Sequence, residues 1–397
     1  MKWPTLALEE LASVQRGKFS ARPRNDPKYY GGDIPFIQTG DVATSSGRVR
    51  NYSQTLNADG LGVSKLFPKG SLAITIAANI GDVAKIEFDF ACPDSLVVVQ
   101  ANEGVCIDWL RHSLQSKKAL LESLAPQNAQ KNINLEILRP LPFDVPPFEE
   151  QQAIANILDT WDAAIEKIEQ LVAAKEQFLA GLRQDCFGKN RGVRNREWRL
   201  VYLSEVLTEH RQKCTGNESV FSVSVHKGLI NQIEHLGRSF AASDTSNYNR
   251  VQLGDIVYTK SPTGDFPFGI VKQNYAKADV IVSPLYGVFS PVTQELGLLI
   301  DFYFESPKNA KNYLGPLIQK RAKNTISITN SGFLSGRLSL PLAINEQRRI
   351  AKVITEARKD IALLRLMKER YEVQKRGLMQ KLLTGQWRVK LPETESA

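Results

Sequence analysis

Long apolar runs are missing from this chain. The most apolar stretches, Leu72 to Ile80 and Ser95 to Val99, fall far below the ~20 residues that a bilayer-spanning helix needs. The opening residues, MKWPTLALEELASV, lack the basic start and apolar core of an export signal. Cysteine is scarce: four in 397 residues, Cys92, Cys106, Cys186 and Cys214, irregularly spaced and without a CxxC pair. That pattern excludes a disulfide scaffold and suits thiols kept reduced, so a cytoplasmic protein with no membrane partner is expected.

Catalytic signatures are missing too. There is no GxxxxGK[ST] phosphate loop and no GxGxxG fingerprint. His210, Cys214, His226 and His235 match no zinc spacing, so no metal site is expected. Asp144-Val145-Pro146-Pro147-Phe148 approaches the Asp/Asn-Pro-Pro-Tyr/Phe motif of amino-methylating DNA enzymes. Val145 intervenes, however, and cannot accept the hydrogen bond that motif supplies, so the run reads as a proline-rich lead-in to a helix. No catalytic residue and no resident cofactor are expected, and the chain is read as not an enzyme.

What is present is repetition. At an offset of 196, Glu150-Gln151-Gln152-Ala153-Ile154-Ala155 aligns with Glu346-Gln347-Arg348-Arg349-Ile350-Ala351, Gly181-Leu182 with Gly377-Leu378, and Gln184 with Gln380. At an offset of 195, Trp3, Leu8 and Glu10 align with Trp198, Leu203 and Glu205. The intervening stretches, about 20–130 and 215–325, share little. Two like frames carry two unlike inserts.

Each frame ends in a heptad run. Ile154, Leu158, Trp161, Ile165, Ile168, Val172, Lys175, Leu179, Leu182 and Cys186 recur at alternating spacings of 4 and 3. So do Ile350, Ile354, Ala357, Ile361, Leu364, Lys368, Tyr371, Lys375, Leu378 and Leu382. A 3.5-residue period sustained this long predicts two helices of ~38 residues, ~57 Å each, packed on one another as a coiled coil. Pro146-Pro147 and the acids Glu149, Glu150 and Glu346 mark their starts, and Gly188 and Gly385 their ends. Identical units favour an antiparallel, pseudo-two-fold arrangement. The expected organisation is a globular domain at 1–145, a long helix at 146–190, a second domain at 191–340, a second helix at 341–390 and a tail at 391–397.

The inserts mix short β runs with turns: Ser71 to Ile76, Val83 to Phe88 and Leu96 to Val99, then Asp255 to Tyr258, Phe268 to Val271 and Val280 to Val282. Helices are suggested at Ile107 to Leu124 and Leu296 to Tyr313. Two compact α/β (α+β) domains are expected, not doubly wound sheets.

A net charge of +9 and a pI near 9.2 favour a polyanionic partner. Basic and amide residues cluster in loops of both inserts. The first has Arg16, Lys18, Arg22, Arg24, Lys28 and Tyr29, then Thr39, Arg48 and Arg50, then Gln127, Asn128, Gln130 and Lys131. The second has His210, Arg211 and Lys213, then Lys260 and Thr263, then Lys320, Arg321, Lys323 and Asn324. Arginine and lysine neutralise phosphates and read guanine, while asparagine and glutamine suit adenine, so these loops are candidate contacts to double-stranded DNA.

The paired Glu-Gln helix starts, the run Ile133 to Phe148 before the first, Leu382-Leu383-Thr384-Gly385 near the end, and Gly32-Asp33-Ile34-Pro35-Phe36-Ile37 with Thr39-Gly40-Asp41 resemble one family. It is the specificity subunit of bacterial type I restriction-modification systems. Nothing in the second insert matches the Asp-Ile-Pro-Phe-Ile opening. The resemblance implies a non-catalytic subunit that docks two methyltransferase subunits and the restriction (motor-nuclease) subunits. Each insert would be a target recognition domain reading half of a bipartite site, with the helices setting the spacer. S-adenosylmethionine would sit in the methyltransferase, and ATP and magnesium in the motor-nuclease. A ~57 Å rod caps the half-site separation at ~17 bp, and reading one DNA face favours ~10 bp. Two other readings stay open: a specificity module of another restriction-modification architecture, and a coiled-coil adaptor that binds no DNA.

Overall fold

The computed structural model describes residues 2–77, 79–125, 132–188, 198–233, 244–320 and 326–390. The chain divides into two compact units, Met1–Val172 with Leu363–Ala397, and Ala173–Ala362. Each unit therefore holds part of both long helices, α2 (Phe148–Phe187) and α4 (Ile344–Leu383), of 40 residues each. The tail expected at 391–397 lies outside the described residues.

The heptad seam is where the periodicity put it. Ile154, Leu158, Ile165, Ile168, Leu179, Ile350, Ile354, Ala357, Ile361 and Leu382 are buried. Trp161, Val172, Leu182, Leu364, Tyr371 and Leu378 are half-buried. The three seam lysines settle the direction. In the first unit Lys375 pairs with Asp162, and Lys368 with Glu169 at 2.7 Å. In the second, Lys175 pairs with Asp360 at 2.7 Å. In the first unit one numbering falls as the other rises, so the helices run antiparallel there, and Trp161 meets Tyr371 edge-on at 5.3 Å. Apolar burial supplies the stability, roughly 1.5–3 kcal/mol per Leu or Ile side chain. A half-exposed pair such as Lys175–Asp360 adds at most about 1 kcal/mol and acts mainly on register.

The Glu-Gln repeat has a structural job. Gln151 is buried; its Nε2 donates to the Pro146 carbonyl at 2.9 Å, and its Oε1 accepts from the Cys106 backbone N–H at 2.8 Å. Cys106 caps the reader helix α1 (Ile107–Ser116). Gln347 repeats this: it donates to the Pro341 carbonyl at 3.0 Å and accepts from the Thr293 hydroxyl at 2.7 Å, Thr293 capping α3 (Gln294–Phe304). One amide side chain thus fixes a long helix to the start of the helix above it, in both units. The other repeated acid works alike: Glu10 accepts from the Ala7 N–H at 2.6 Å, and Glu205 from the Tyr202 N–H at 2.7 Å. Strand Thr5–Ala7 pairs antiparallel with Pro142–Asp144, and Trp198–Tyr202 with Arg337–Pro341, closing each frame.

The inserts, unlike in sequence, share a sheet. In the first unit Ala12–Arg16, Leu96–Ala101, Leu72–Thr75 and Val83–Ile86 lie side by side in that order, with Arg48–Val49 added in parallel on Val83–Ile86. The second unit has Leu207–Glu209, Gly287–Pro291, Ile256–Tyr258 and Val271–Gln273, the same order by chain position. Alternation along the strands serves two cores. Leu72, Ile74, Val97 and Val99 pack with Trp109, Leu110 and Leu114 of α1 and with Ile154 and Leu158 of α2. Ala73, Leu96 and Val98 face Ile37, Phe67 and Phe90. Both units are mixed α and β around antiparallel strands, as expected.

The largest local differences in boundary are three. The helix expected across Ile107 to Leu124 breaks at Lys117, whose backbone leaves the helical region (φ −93°, ψ 5°). The one expected across Leu296 to Tyr313 ends at Phe304 and resumes at Pro307, a residue that cannot sit in a helix interior. The strand expected from Phe268 to Val271 begins at Val271, because Gly269 turns at φ +100° against the Lys260 backbone.

Replacing Gln151 or Gln347 by alanine leaves buried polar groups without partners and should cost about 2 kcal/mol each. A Tm loss of roughly 5 °C for each, with Lys175→Ala nearly silent, is the outcome expected in thermal melts. Equal effects from all three would contradict the assigned roles.

Candidate nucleic-acid interface

The basic segment after strand Ala12–Arg16 is held from below. Gly17 packs so closely on Pro93 and Cys92 that a Cβ would lie 2.2 Å from the Pro93 carbonyl oxygen. Its N–H donates to the Leu96 carbonyl, and that of Lys18 to Cys92. The next residues alternate: Phe19 and Ala21 are buried, while Lys18, Ser20 and Arg22 are exposed. Phe19 sits among Tyr29, Tyr30 and Phe36, with ring centroids 6.1, 5.9 and 4.9 Å away. Asp26 caps the turn Pro27–Tyr29 by accepting from the Lys28 N–H, and the Tyr30 hydroxyl donates to the Arg24 carbonyl.

Arg16, Lys18, Arg22, Arg24 and Lys28 are thereby exposed on an anchored segment. Arg16 donates to the Asp94 carbonyl at 2.6 Å, and Arg24 pairs with its carboxylate at 2.9 Å. Lys28 lies 3.5 Å from Asp26 and over the Tyr29 ring. Lys18 and Arg22 carry no ion pair among the described residues, which leaves both charges open to a phosphate. Thr39, half-buried, starts the short helix Thr39–Thr44.

Three residues proposed from sequence as DNA contacts are engaged elsewhere. Arg48 is half-buried between Glu87 (3.0 Å), Asp108 (2.8 Å) and Asp159 (2.7 Å). Arg50, though exposed, turns to Glu166 of α2 at 2.7 Å. His210 hydrogen-bonds the buried Asp255 carboxylate at 2.9 Å, which also accepts from Ser290 and from the Gln252 N–H. Arg48 and His210 satisfy carboxylates that burial would otherwise penalise, while the Arg50 pair lies at the surface. Gln127, Asn128, Gln130, Lys131, Arg321, Lys323 and Asn324 lie outside the described residues; Lys320 ends the two-residue strand Gln319–Lys320.

In the second unit Arg211 is exposed beside Glu209, and Lys213 donates to the Asn247 carbonyl and to Asn249, both at 2.9 Å. Thr263 stands on the exposed tip of the hairpin between Ile256–Tyr258 and Val271–Gln273. Lys260, at the base of that hairpin, has φ +61°, a strained setting for a side-chain-bearing residue. Burial pushes its ammonium pKa down, against the pull of Glu209.

An acidic seat on α2 went unread in the sequence. Asp159 and Asp162 receive the fully buried Arg111, and Asp159 also takes His112 at 2.9 Å. The i, i+3, i+7 spacing of Asp159, Asp162 and Glu166 beside the seam was the available signal. Among the described residues His112, Asp159 and Asp162 come close enough for a metal ion. Arg48, Arg111 and Lys375 already neutralise these carboxylates, so the arrangement is that of an ion network. Burial alone would raise the Asp159 pKa, but the His112 hydrogen bond and the Arg111 guanidinium hold it well below the usual carboxylate range.

Residues 1–175 match the family model described as the type I restriction modification DNA specificity domain. Over that stretch the chain is similar to type I restriction-modification specificity subunits. Two relatives from Methanocaldococcus jannaschii carry that description. The MjaIX specificity subunit is 24% identical over 64% of this chain and 62% of its own length. The MjaVIII specificity subunit is 25% identical over 71% and 70%. The fold is also that of the type I S subunit from M. genitalium, with a TM-score of 0.61, 15% identity and 96% of each chain covered. Among the described residues of the chain, no helix is long and apolar enough to cross a membrane.

The buried ion network makes stability pH-dependent. Burial pushes the His112 imidazole down to about 4, against the pull of the Asp159 carboxylate 2.9 Å from Nε2, and Nδ1 is buried without a partner. Below pH ~6.5 the unfolded imidazole takes a proton that the folded one refuses until about 4. Stability should therefore fall by on the order of 3 kcal/mol between those values. Denaturant titrations at pH 6.5 and 4.5 test this: His112→Gln should flatten the difference, and an unchanged slope in that variant would rule the assignment out.

Proposed function

We propose that this chain is the DNA-reading, non-catalytic subunit of a type I restriction-modification complex, and that each unit's reader contacts one half of a bipartite target. The observation that carries this is the shared sheet order of the two units, which bears unlike inserts on like frames. A scaffold that repeats its frame while varying its exposed loops suits two half-sites of different sequence.

The chemistry on this side is recognition alone. Lys18, Arg22, Arg24 and Lys28 neutralise phosphates along one anchored segment, and Lys213 and Arg211 do so in the second unit. Such contacts position a protein on DNA and release counterions, and base edges are then read by neighbouring polar side chains. The methyltransferase subunits, two per complex, bring S-adenosylmethionine; the restriction subunits bring ATP and magnesium. The repeated frame gives the two methyltransferase copies two like seats. Helix length sets the spacer between half-sites.

Lys18→Ala combined with Arg22→Ala should weaken binding of duplex DNA by the methyltransferase-loaded complex. The slope of log affinity against log salt should fall by about two. The modified sequence should stay the same, because neither residue reads bases. An unchanged salt slope would remove this segment from the interface, and salt-independent binding by the parent complex would overturn the DNA-reading function itself.

A further inference from the structure

The two units seat their readers with opposite charge. In the first, α2 offers Asp159 and Asp162 to Arg111 and Arg48, and Glu166 to Arg50. In the second, α4 offers Arg358 to Asp301 at 2.9 Å and to Glu305 at 2.7 Å, and Arg348 to Glu295 at 3.5 Å. Tyr275 completes this cluster, its hydroxyl 3.0 Å from the Arg358 guanidinium. At the repeat offset of 196, Arg358 stands where Asp162 does, Thr355 for Asp159, Ala362 for Glu166 and Arg365 for Glu169. All four acids of the α2 face are replaced by neutral or basic residues on α4.

Arg183 of α2 also reaches Glu305, and the backbone and amide contacts of the two seats are shared. Gln151 and Gln347 hold their reader helices by the same amide. Leu8 donates its N–H to the Leu141 carbonyl as Leu203 does to Gly336, so the readers begin and end at equivalent points. Backbone and amide contacts alone would let either reader occupy either frame. We infer that the inverted charges are a key: each reader fits its own long helix and is repelled by the other. Exchanged, the fully buried Arg111 would meet Arg358, and Asp301 with Glu305 would meet Asp159 and Asp162. Desolvated like charges reject a wrong partner far more strongly than matched ones improve a right one. The key limits which foreign readers a frame accepts. It rests on contacts within each unit and does not depend on DNA reading.

The test uses full-length chains and thermal melts. Two pairs of variants, Asp159→Asn with Asp159→Arg and Arg358→Met with Arg358→Asp, separate loss of attraction from repulsion. In each pair the reversed charge should melt roughly 5 °C or more below the neutral one. In a second arm, residues 8–141 and 203–336 are exchanged between frames. That chain should melt roughly 10 °C below the parent. Adding Asp159→Thr, Asp162→Arg and Glu166→Ala on α2, with Thr355→Asp, Arg358→Asp, Ala362→Glu and Lys375→Leu on α4, the last removing the seam lysine that faces position 162, should recover most of the loss. An exchanged chain as stable as the parent would overturn the key, and so would re-keying without recovery. Reversed variants no worse than neutral ones would overturn it also, and these four decide the matter if neither exchanged chain folds.

Discussion

A 40-residue helix with an apolar stripe cannot stand alone in water, and burial of that stripe is the constraint on which this molecule depends. Here the stripe of α2 is buried against α4, a copy with the same 3.5-residue period. Three lysines interrupt the stripe, and each finds a carboxylate on the facing helix. Their energy is small beside that of the isoleucines and leucines, but a shifted register would strand them among apolar side chains. The apolar seam supplies stability and the lysines supply alignment.

From that seam the rest follows by short connections. A buried glutamine one turn into each long helix ties it to the cap of a reader helix, and a strand pair closes each frame. Above the frames sit sheets with one strand order and unlike loops. Conserving the geometry of the sheet while varying the loops lets the same scaffold present different surfaces. The charged seats beneath the readers are where the two copies diverge most in chemistry, from acid on α2 to base on α4.

Legibility in the sequence tracked the range of the interactions. The seam was readable because its signal is local and periodic, and the Glu-Gln repeat because two copies stand in register. What the glutamine does was not readable, since its partners at Cys106 and Thr293 are 45 and 54 residues away. The common sheet order was hidden for the same reason: its strands are as short as three residues and are joined by loops of different length. Basic residues were over-assigned to DNA. Arg48, Arg50 and His210 looked like Lys18 and Arg22 in composition, and only the fold shows carboxylates waiting for the first three.

Under the proposed function, two unlike readers on one repeated frame specify an interrupted target. Mapping methylated adenines in DNA from cells that express this chain with its methyltransferase partner tests it most directly. The expected result is one asymmetric motif, two specified blocks separated by an unread gap of fixed length. Methylation at a single uninterrupted sequence, or at blocks with a variable gap, would contradict it.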